Sequence, residues 1–356
     1  MVTQLLSTRR RRFIAGAAAS LVVGGLVVTA QSPDPQTAVN SAFNQFKDLK
    51  EGKNADYIPA LAKVNPNLFG IALVTADGKV YTAGDVATQV SIQSISKVFT
   101  MAQVIQEQGL EAIEKRIGVD ATGARFNSII AVEAVRNVVG SGAPEMNPLV
   151  NPGAITATSM VKGESREAIW KSILSYYGDF AGRPLMVNHE VYRSEAETNQ
   201  RNQAIASLMY AYGHIKKNPA QATDIYTEQC SVNANAKDLA VMAATLANGG
   251  KNPITGKTVM KAENVPEVLS VMATAGLYDD SGKWLYKTGL PAKSGVGGGL
   301  IAVAPGKFGI AAIAPPLDSA GNSVKAQRVI EEVVRTLDAN PYLVKPVGAS
   351  KSASAK

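Results

Sequence analysis

Ser94 and Lys97 stand three residues apart in "SIQSISKVF", residues 91–99, where a strand-like run gives way to an apolar helical one. Positions i and i+3 of a helix share a face, so both side chains would point together from the first turn. The partial positive charge of a helix N-terminus favours an alkoxide on Ser94 and disfavours a proton on Lys97. A free lysine titrates near pH ~10.4 and is a poor base at neutrality. Burial disfavours its charged form, and Ile92, Ile95, Val98 and Phe99 could supply the apolar pocket. A neutral Lys97 could then take the Ser94 proton as that oxygen attacks a carbonyl. The competing reading is an ordinary polar first turn. A second such pair, Ser159 and Lys162, lies in an apolar helical run ending at Gly163. There the lysine reads as a C-terminal helix charge, hence structural.

A second element sharpens the first. Lys293-Ser294-Gly295, in "LPAKSGVGGGLIAV", precedes a glycine-rich strand. A glycine-lined edge lets a substrate backbone approach closely, and it exposes N–H groups to an oxyanion. Alone, Lys293-Ser294-Gly295 reads as a turn. In this order after Ser94 and Lys97, it resembles the serine β-lactamases and penicillin-binding proteins.

The rest of the chain must position these groups. Its 356 residues, 46% hydrophobic, suffice for one large domain or two subdomains. The formal charge of +7 resides at the ends, in Arg9–Arg12 and in Lys345, Lys351 and Lys356, so the body is near neutral. That removes the whole-domain electrostatic case for nucleic acid as a partner. The single cysteine, Cys230, forbids an intramolecular disulfide and reads as structural, since nothing beside it lowers its pKa. Two histidines, His189 and His214, are too few for most zinc sites without carboxylates, and neither sits in a triad motif. No metal or cofactor is expected.

Residues 1–30 read as an export signal: a basic start, an apolar stretch from Phe13 to Ala30, and small residues at Val28-Thr29-Ala30. The arginines before Phe13 resemble a twin-arginine signal. An uncleaved membrane anchor is the alternative, and both place the body in the periplasm or outside the cell. The body is expected to span 31–338, with a flexible tail at 339–356.

After a linker at Pro33–Pro35, helical spacing of Val39, Ala42, Phe43, Phe46 and Leu49 predicts a first helix stopped by Gly52. "LFGIALVTADGKVYTAGD" predicts a hairpin about Asp77-Gly78. Helices are expected near 97–114, 150–162, 165–178, 195–217, 234–248 and 262–275. The strands "GGLIAVAP" and "FGIAAIAPP" follow, with a last amphipathic helix from about Ser323 to Leu337. Strands at both chain ends can pair, so the expected class is α+β: an antiparallel sheet flanked by the terminal helices, plus a helical lobe, with the site in the cleft between them.

Longer strings go further. "YIPALAKVNPNLFGIALVTADG", "QSISK", "NPLVNPGAI", "MAATLANGG", "AGLYDDSGKW", "LPAKSGVGGG" and "PPLDSAGNSVKA" together resemble the serine-dependent glutaminases, from about Asp56 to Leu337. The resemblance implies a β-lactamase-like fold, hydrolysis of L-glutamine to L-glutamate and ammonia, and assembly as a homodimer or homotetramer. It implies Ser94 as nucleophile and Lys97 as base, with Tyr226 and Tyr278 beside them. It implies substrate contacts from Tyr57, Asn151, Glu195, Asn202, Tyr226 and Tyr278, and an oxyanion donor in the Val296 N–H. Glutamine's charges suit this set: Glu195 can pair the ammonium, while Asn151, Asn202 and tyrosine hydroxyls can donate to the carboxylate. Taken singly, Glu195 reads as a surface carboxylate, Asn151 as a turn or cap residue, and the tyrosines as core or rim. Segment 163–193 carries no family string. Three alternatives remain: a β-lactamase or D-alanyl-peptidase, for which Ser231-Val232-Asn233 offers a Ser-x-Asn string, a non-catalytic amino-acid-binding protein, and a hydrolase of asparagine or a peptide amide.

Overall fold

The computed structural model describes residues 34–137 and 146–344; the export signal expected at 1–30 lies outside them. In chain order the elements are α1 (Pro35–Phe46), α2 (Pro59–Ala62), β1 (Gly70–Thr75), β2 (Val80–Gly84) and β3 (Val90–Ser91). A 3-10 turn, Gln93–Ile95, leads into α3 (Ser96–Gln108), followed by α4 (Glu111–Arg116), α5 (Ile130–Asn137), α6 (Asn151–Met160) and α7 (Arg166–Ala181). Then come β4 (Met186–Val187), α8 (His189–Thr198), α9 (Gln200–Ala211), α10 (Pro219–Cys230), β5 (Val232–Ala234) and α11 (Ala236–Ala247). The chain closes with α12 (Val265–Ala275), α13 (Ser281–Thr288), β6 (Ala292–Ser294), β7 (Gly299–Ala304), β8 (Phe308–Ile313) and α14 (Val324–Thr336).

The sheet has the order β2-β1-β8-β7-β6, antiparallel throughout. Early strand β1 pairs with late strand β8, Ala72 opposite Ala311, so the two chain ends close one sheet around the central helices, as expected. Both faces of β7 and β8 are buried, which is why these runs read as continuously apolar rather than alternating. Val39 and Ala42 of α1, Trp284 of α13 and Val329, Ile330 and Val333 of α14 cover one face. α11 covers the other. It is buried over nearly its whole length, as its Ala- and Leu-rich sequence without a polar face requires. Gly309 makes this contact possible, since a Cβ there would stand 2.1 Å from the Ala244 nitrogen. Most of the other helices pack into the second lobe around Phe99, Ile155, Tyr177, Phe180 and Met209, while Leu61 of α2 and Val191 of α8 form a smaller cluster with Val296 and Leu317.

Three expectations need correction, and two elements were unexpected. Pro35 does not extend a linker but is the first residue of α1, capped by Asp34, where a missing N–H costs nothing. The helix expected at 97–114 is two, because Gly109 takes φ +87 after Gln108. The helix expected at 195–217 begins at His189, capped by Asn188, and breaks at Asn199 into α8 and α9. α10, capped by Asn218 with Pro219 at its first turn, and the three-stranded ribbon β3-β5-β4 were not anticipated. Two-residue strands such as β3 and β4 carry no readable alternation.

Candidate active site

Ser94 lies in the 3-10 turn just before α3, rather than within the helix, and Lys97 is the second residue of α3. The tight turn still brings the pair together: Lys97 Nζ is 2.7 Å from Ser94 Oγ. Lys97 is fully buried, and that burial pushes its pKa down to about 8. Its Nζ also donates to Asn151 Oδ1 at 2.8 Å. Asn151 opens α6, and its backbone N–H donates to the Phe126 carbonyl. Its Oδ1 accepts from the Tyr226 hydroxyl at 3.1 Å, and its Nδ2 donates to Asn202 Oδ1 at 2.8 Å. A continuous network thus runs from Ser94 through Lys97 and Asn151 to α9 and α10.

Glu195, on α8, is buried rather than on the surface. Burial pushes its pKa up to about 7, although Gln93 Nε2 donates to its carboxylate at 3.2 Å and opposes the rise. Lys97 opposes the rise from longer range, but among the described residues no lysine or arginine pairs with this carboxylate directly. Gln93, not picked out as a site residue, holds this acid from the position next to Ser94. It adopts φ +49, a conformation sparsely used outside glycine and found at constrained sites.

A cleft of about 100 Å³ opens over these groups, and seven of the nine expected residues line it: Tyr57, Ser94, Asn151, Glu195, Asn202, Tyr226 and Val296. Lys97 and Tyr278 lie behind this lining. Tyr57 is half exposed on the rim. Tyr278 is buried, stacks against Phe126 with ring centroids 5.2 Å apart, and takes φ +58. Its hydroxyl forms no hydrogen bond among the described residues, though the Ser94 and Ser294 hydroxyls are its polar neighbours. Both Tyr226 and Tyr278 are held firmly protonated by burial.

Lys293 is also fully buried, its Nζ 4.0 Å from the Tyr278 ring centroid and donating to the Ser294 carbonyl. Burial first, and Lys97 second, hold its pKa well below the ordinary lysine value. The glycines after it serve a purpose other than the expected one. A Cβ on Gly295 would stand 2.5 Å from the Ile92 carbonyl oxygen, and one on Gly297 2.3 Å from that of Ser91. They admit the protein's own Ser91–Gln93 backbone, not a substrate's. Among the described residues, the Val296 N–H between them makes no backbone hydrogen bond. The Ser94 N–H lies at the start of its turn, where helical N–H groups lack partners.

The second Ser-x-x-Lys is apart from all this. Ser159 Oγ donates to the Thr156 carbonyl and Lys162 Nζ to that of Glu107, near the end of α3. Ser231 Oγ donates to Thr227 O, and burial pushes the Cys230 thiol up to about 12.

A glutaminase family profile matches residues 52–342. The chain is 50% identical over 312 residues to a glutaminase of Colwellia psychrerythraea, covering 88% of this chain and 98% of the relative. It is 46% identical over 307 residues to glutaminase 1 of Escherichia coli K12, covering 86% and 97%. Among solved structures it resembles a Bacillus subtilis glutaminase in covalent complex with 5-oxo-L-norleucine, with TM-score 0.78, 28% identity, and 87% and 100% of the two chains covered. By profile, by sequence and by structure, the chain belongs to the glutaminase family.

Proposed function

We propose that this enzyme hydrolyses L-glutamine to L-glutamate and ammonia through a glutamyl ester on Ser94, with Lys97 as the base. The observation that carries this reading is the 2.7 Å contact between Ser94 Oγ and a buried Lys97 Nζ at the floor of the cleft. Ser94 Oγ attacks the side-chain amide carbon and its proton passes to Lys97. The carbonyl oxygen becomes an oxyanion and takes the N–H groups of Ser94 and Val296. The C–N bond then breaks, and the departing nitrogen needs one proton. Tyr226 already directs its hydroxyl hydrogen to Asn151. Tyr278 has no such commitment, so it gives its proton to the nitrogen and regains one from Lys97. Water then attacks the ester, its proton returns through the same groups to Ser94, and glutamate leaves. Glu195 pairs the substrate ammonium, and Tyr57, Asn151 and Asn202 donate to its carboxylate.

The test is covalent labelling with 6-diazo-5-oxo-L-norleucine, from which the Bacillus relative's adduct was formed. Ser94 Oγ should displace N2 and leave one 5-oxo-L-norleucine on the peptide containing Ser94. Ser94→Ala should lose the label and at least ~10⁴-fold in kcat. Label on another residue, or turnover retained by Ser94→Ala, rejects the mechanism. The basic, apolar and small-residue order of the first thirty residues further supports export of the enzyme, which fractionation of cells expressing the full chain would test.

A further inference from the structure

Asn322 belongs to "PPLDSAGNSVKA", a string given no site role by the sequence. It is fully buried, in the loop between β8 and α14. Its Oδ1 accepts from Ser294 Oγ at 2.5 Å, and its Nδ2 points to the Leu277 carbonyl at 3.4 Å. One amide thus touches the strand that carries Lys293-Ser294 and the residue preceding Tyr278. The Asn322 backbone N–H donates to Asp318 Oδ1, and the Asp318 N–H to the Asn322 carbonyl, so the loop holds the amide from below.

Tyr278 needs such support. A left-handed conformation in a bulky residue is strained and persists only where its surroundings over-determine it. Ser281 supplies one clamp, its Oγ donating to the Tyr278 carbonyl and accepting from the Leu277 N–H. Asn322 supplies the other. Its Nδ2 engages Leu277, which turns Oδ1 towards Ser294 and commits the Ser294 hydrogen to it. Ser294 Oγ is then left with only acceptor capacity towards the Tyr278 hydroxyl. Ser294 therefore does not donate to the Tyr278 oxygen, whose lone pairs stay open to the Lys97 proton while its own hydrogen is free to turn to the Ser94 side, as the proton relay requires.

We infer that Asn322 is a positioning residue for the ammonia-releasing step, fixing the place and hydrogen-bond polarity of the Tyr278 hydroxyl through Leu277 and Ser294. The inference rests on the reading of Tyr278 as proton donor. Asn322→Ala should lower kcat for glutamine roughly tenfold to a hundredfold and leave KM within about twofold, since the substrate contacts are untouched. The discriminating measurement is a double-mutant cycle with Tyr278→Phe. With the tyrosine hydroxyl gone, Asn322→Ala should cost less than about twofold further in kcat. An undiminished loss in that background would make Asn322 merely structural and overturn the inference, as would wild-type kcat in Asn322→Ala. Should Asn322→Ala not fold, Ser294→Ala cuts the same link from its other end, and the same cycle decides. Full activity in Tyr278→Phe alone would reject the donor role of Tyr278, a failure distinct from equal losses in the two backgrounds.

Discussion

With Ser94 as the proposed nucleophile, its chemistry rests on the charge state of one amine. Lys97 has its pKa pushed down to about 8 by burial, so the neutral, proton-accepting form is the minority at pH 7 and the majority at pH 9. If it is the base, kcat should rise with pH, gaining about tenfold per unit well below the midpoint and levelling above about 8. Glu195, at about 7, must be ionised to pair the ammonium, so kcat/KM should rise through that lower midpoint as well. Steady-state profiles on glutamine would show both limbs, and in Glu195→Gln the lower one should vanish; a kcat flat from pH 6 to 9 would remove Lys97 as the titrating base. How far such residues were legible differs case by case. Ser94 and Lys97 were readable because local spacing alone brings them together. Glu195 and Tyr278 were visible only through family strings, since single-residue statistics put a carboxylate outside and a tyrosine in the core or rim. Gln93 and Asn322 sat inside quoted strings, yet their roles depend on contacts 102 and 28 residues away in sequence, which no local pattern encodes.

At the scale of elements, the site depends on how closely the Gly295–Gly299 edge approaches the Ser91–Gln93 segment. A methyl group on Gly297 would meet backbone 2.3 Å away, and backbone cannot swing aside as a flexible side chain can. Gly297→Ala should therefore shift the nucleophile's turn and cost about tenfold or more in kcat/KM. Gly282→Ala is the matched control, within α13, with nothing within 4 Å of the added Cβ. It should leave turnover unchanged and stabilise by roughly 0.4–1 kcal/mol. Equal turnover in the two variants would contradict the close-approach account. The main sheet was legible as elements because its strands combine apolar runs with turn residues at Asp77-Gly78 and Gly306-Lys307. The break at Asn199 was not: asparagine is tolerated in helices, and what ends α8 there includes the Asn199 amide donating to Thr227 Oγ1 on α10, a tertiary contact.

For the molecule as a whole, the ionisable groups buried beside the cleft oppose folding, and pH should expose that conflict. Glu195 has a folded pKa near 7, against an ordinary value near 4.5. Between those values the folded state binds more protons than the unfolded state, so stability falls as pH rises from about 4.5 to 7. Lys97, and more strongly Lys293, have folded values below the ordinary 10.5. There the unfolded state binds more protons, so Lys97 adds stability as pH rises from about 8 towards 10.5 and Lys293 acts in the same direction, while the Cys230 thiol, pushed up to about 12 from 9, opposes them above pH 9. The free enzyme should therefore show a stability minimum near neutrality, where many proteins are most stable. Glu195→Gln should remove the acid-side slope and raise stability at pH 7.5 by on the order of 1–3 kcal/mol. On the proposed reading L-glutamate should do the same for the unmodified enzyme, its ammonium pairing directly with Glu195. Urea unfolding of both proteins from pH 5 to 10, with and without glutamate, would reveal this. If Glu195→Gln follows the unmodified enzyme across that range, the buried carboxylate has a protein counter-charge, and the ammonium site must be sought elsewhere in the cleft.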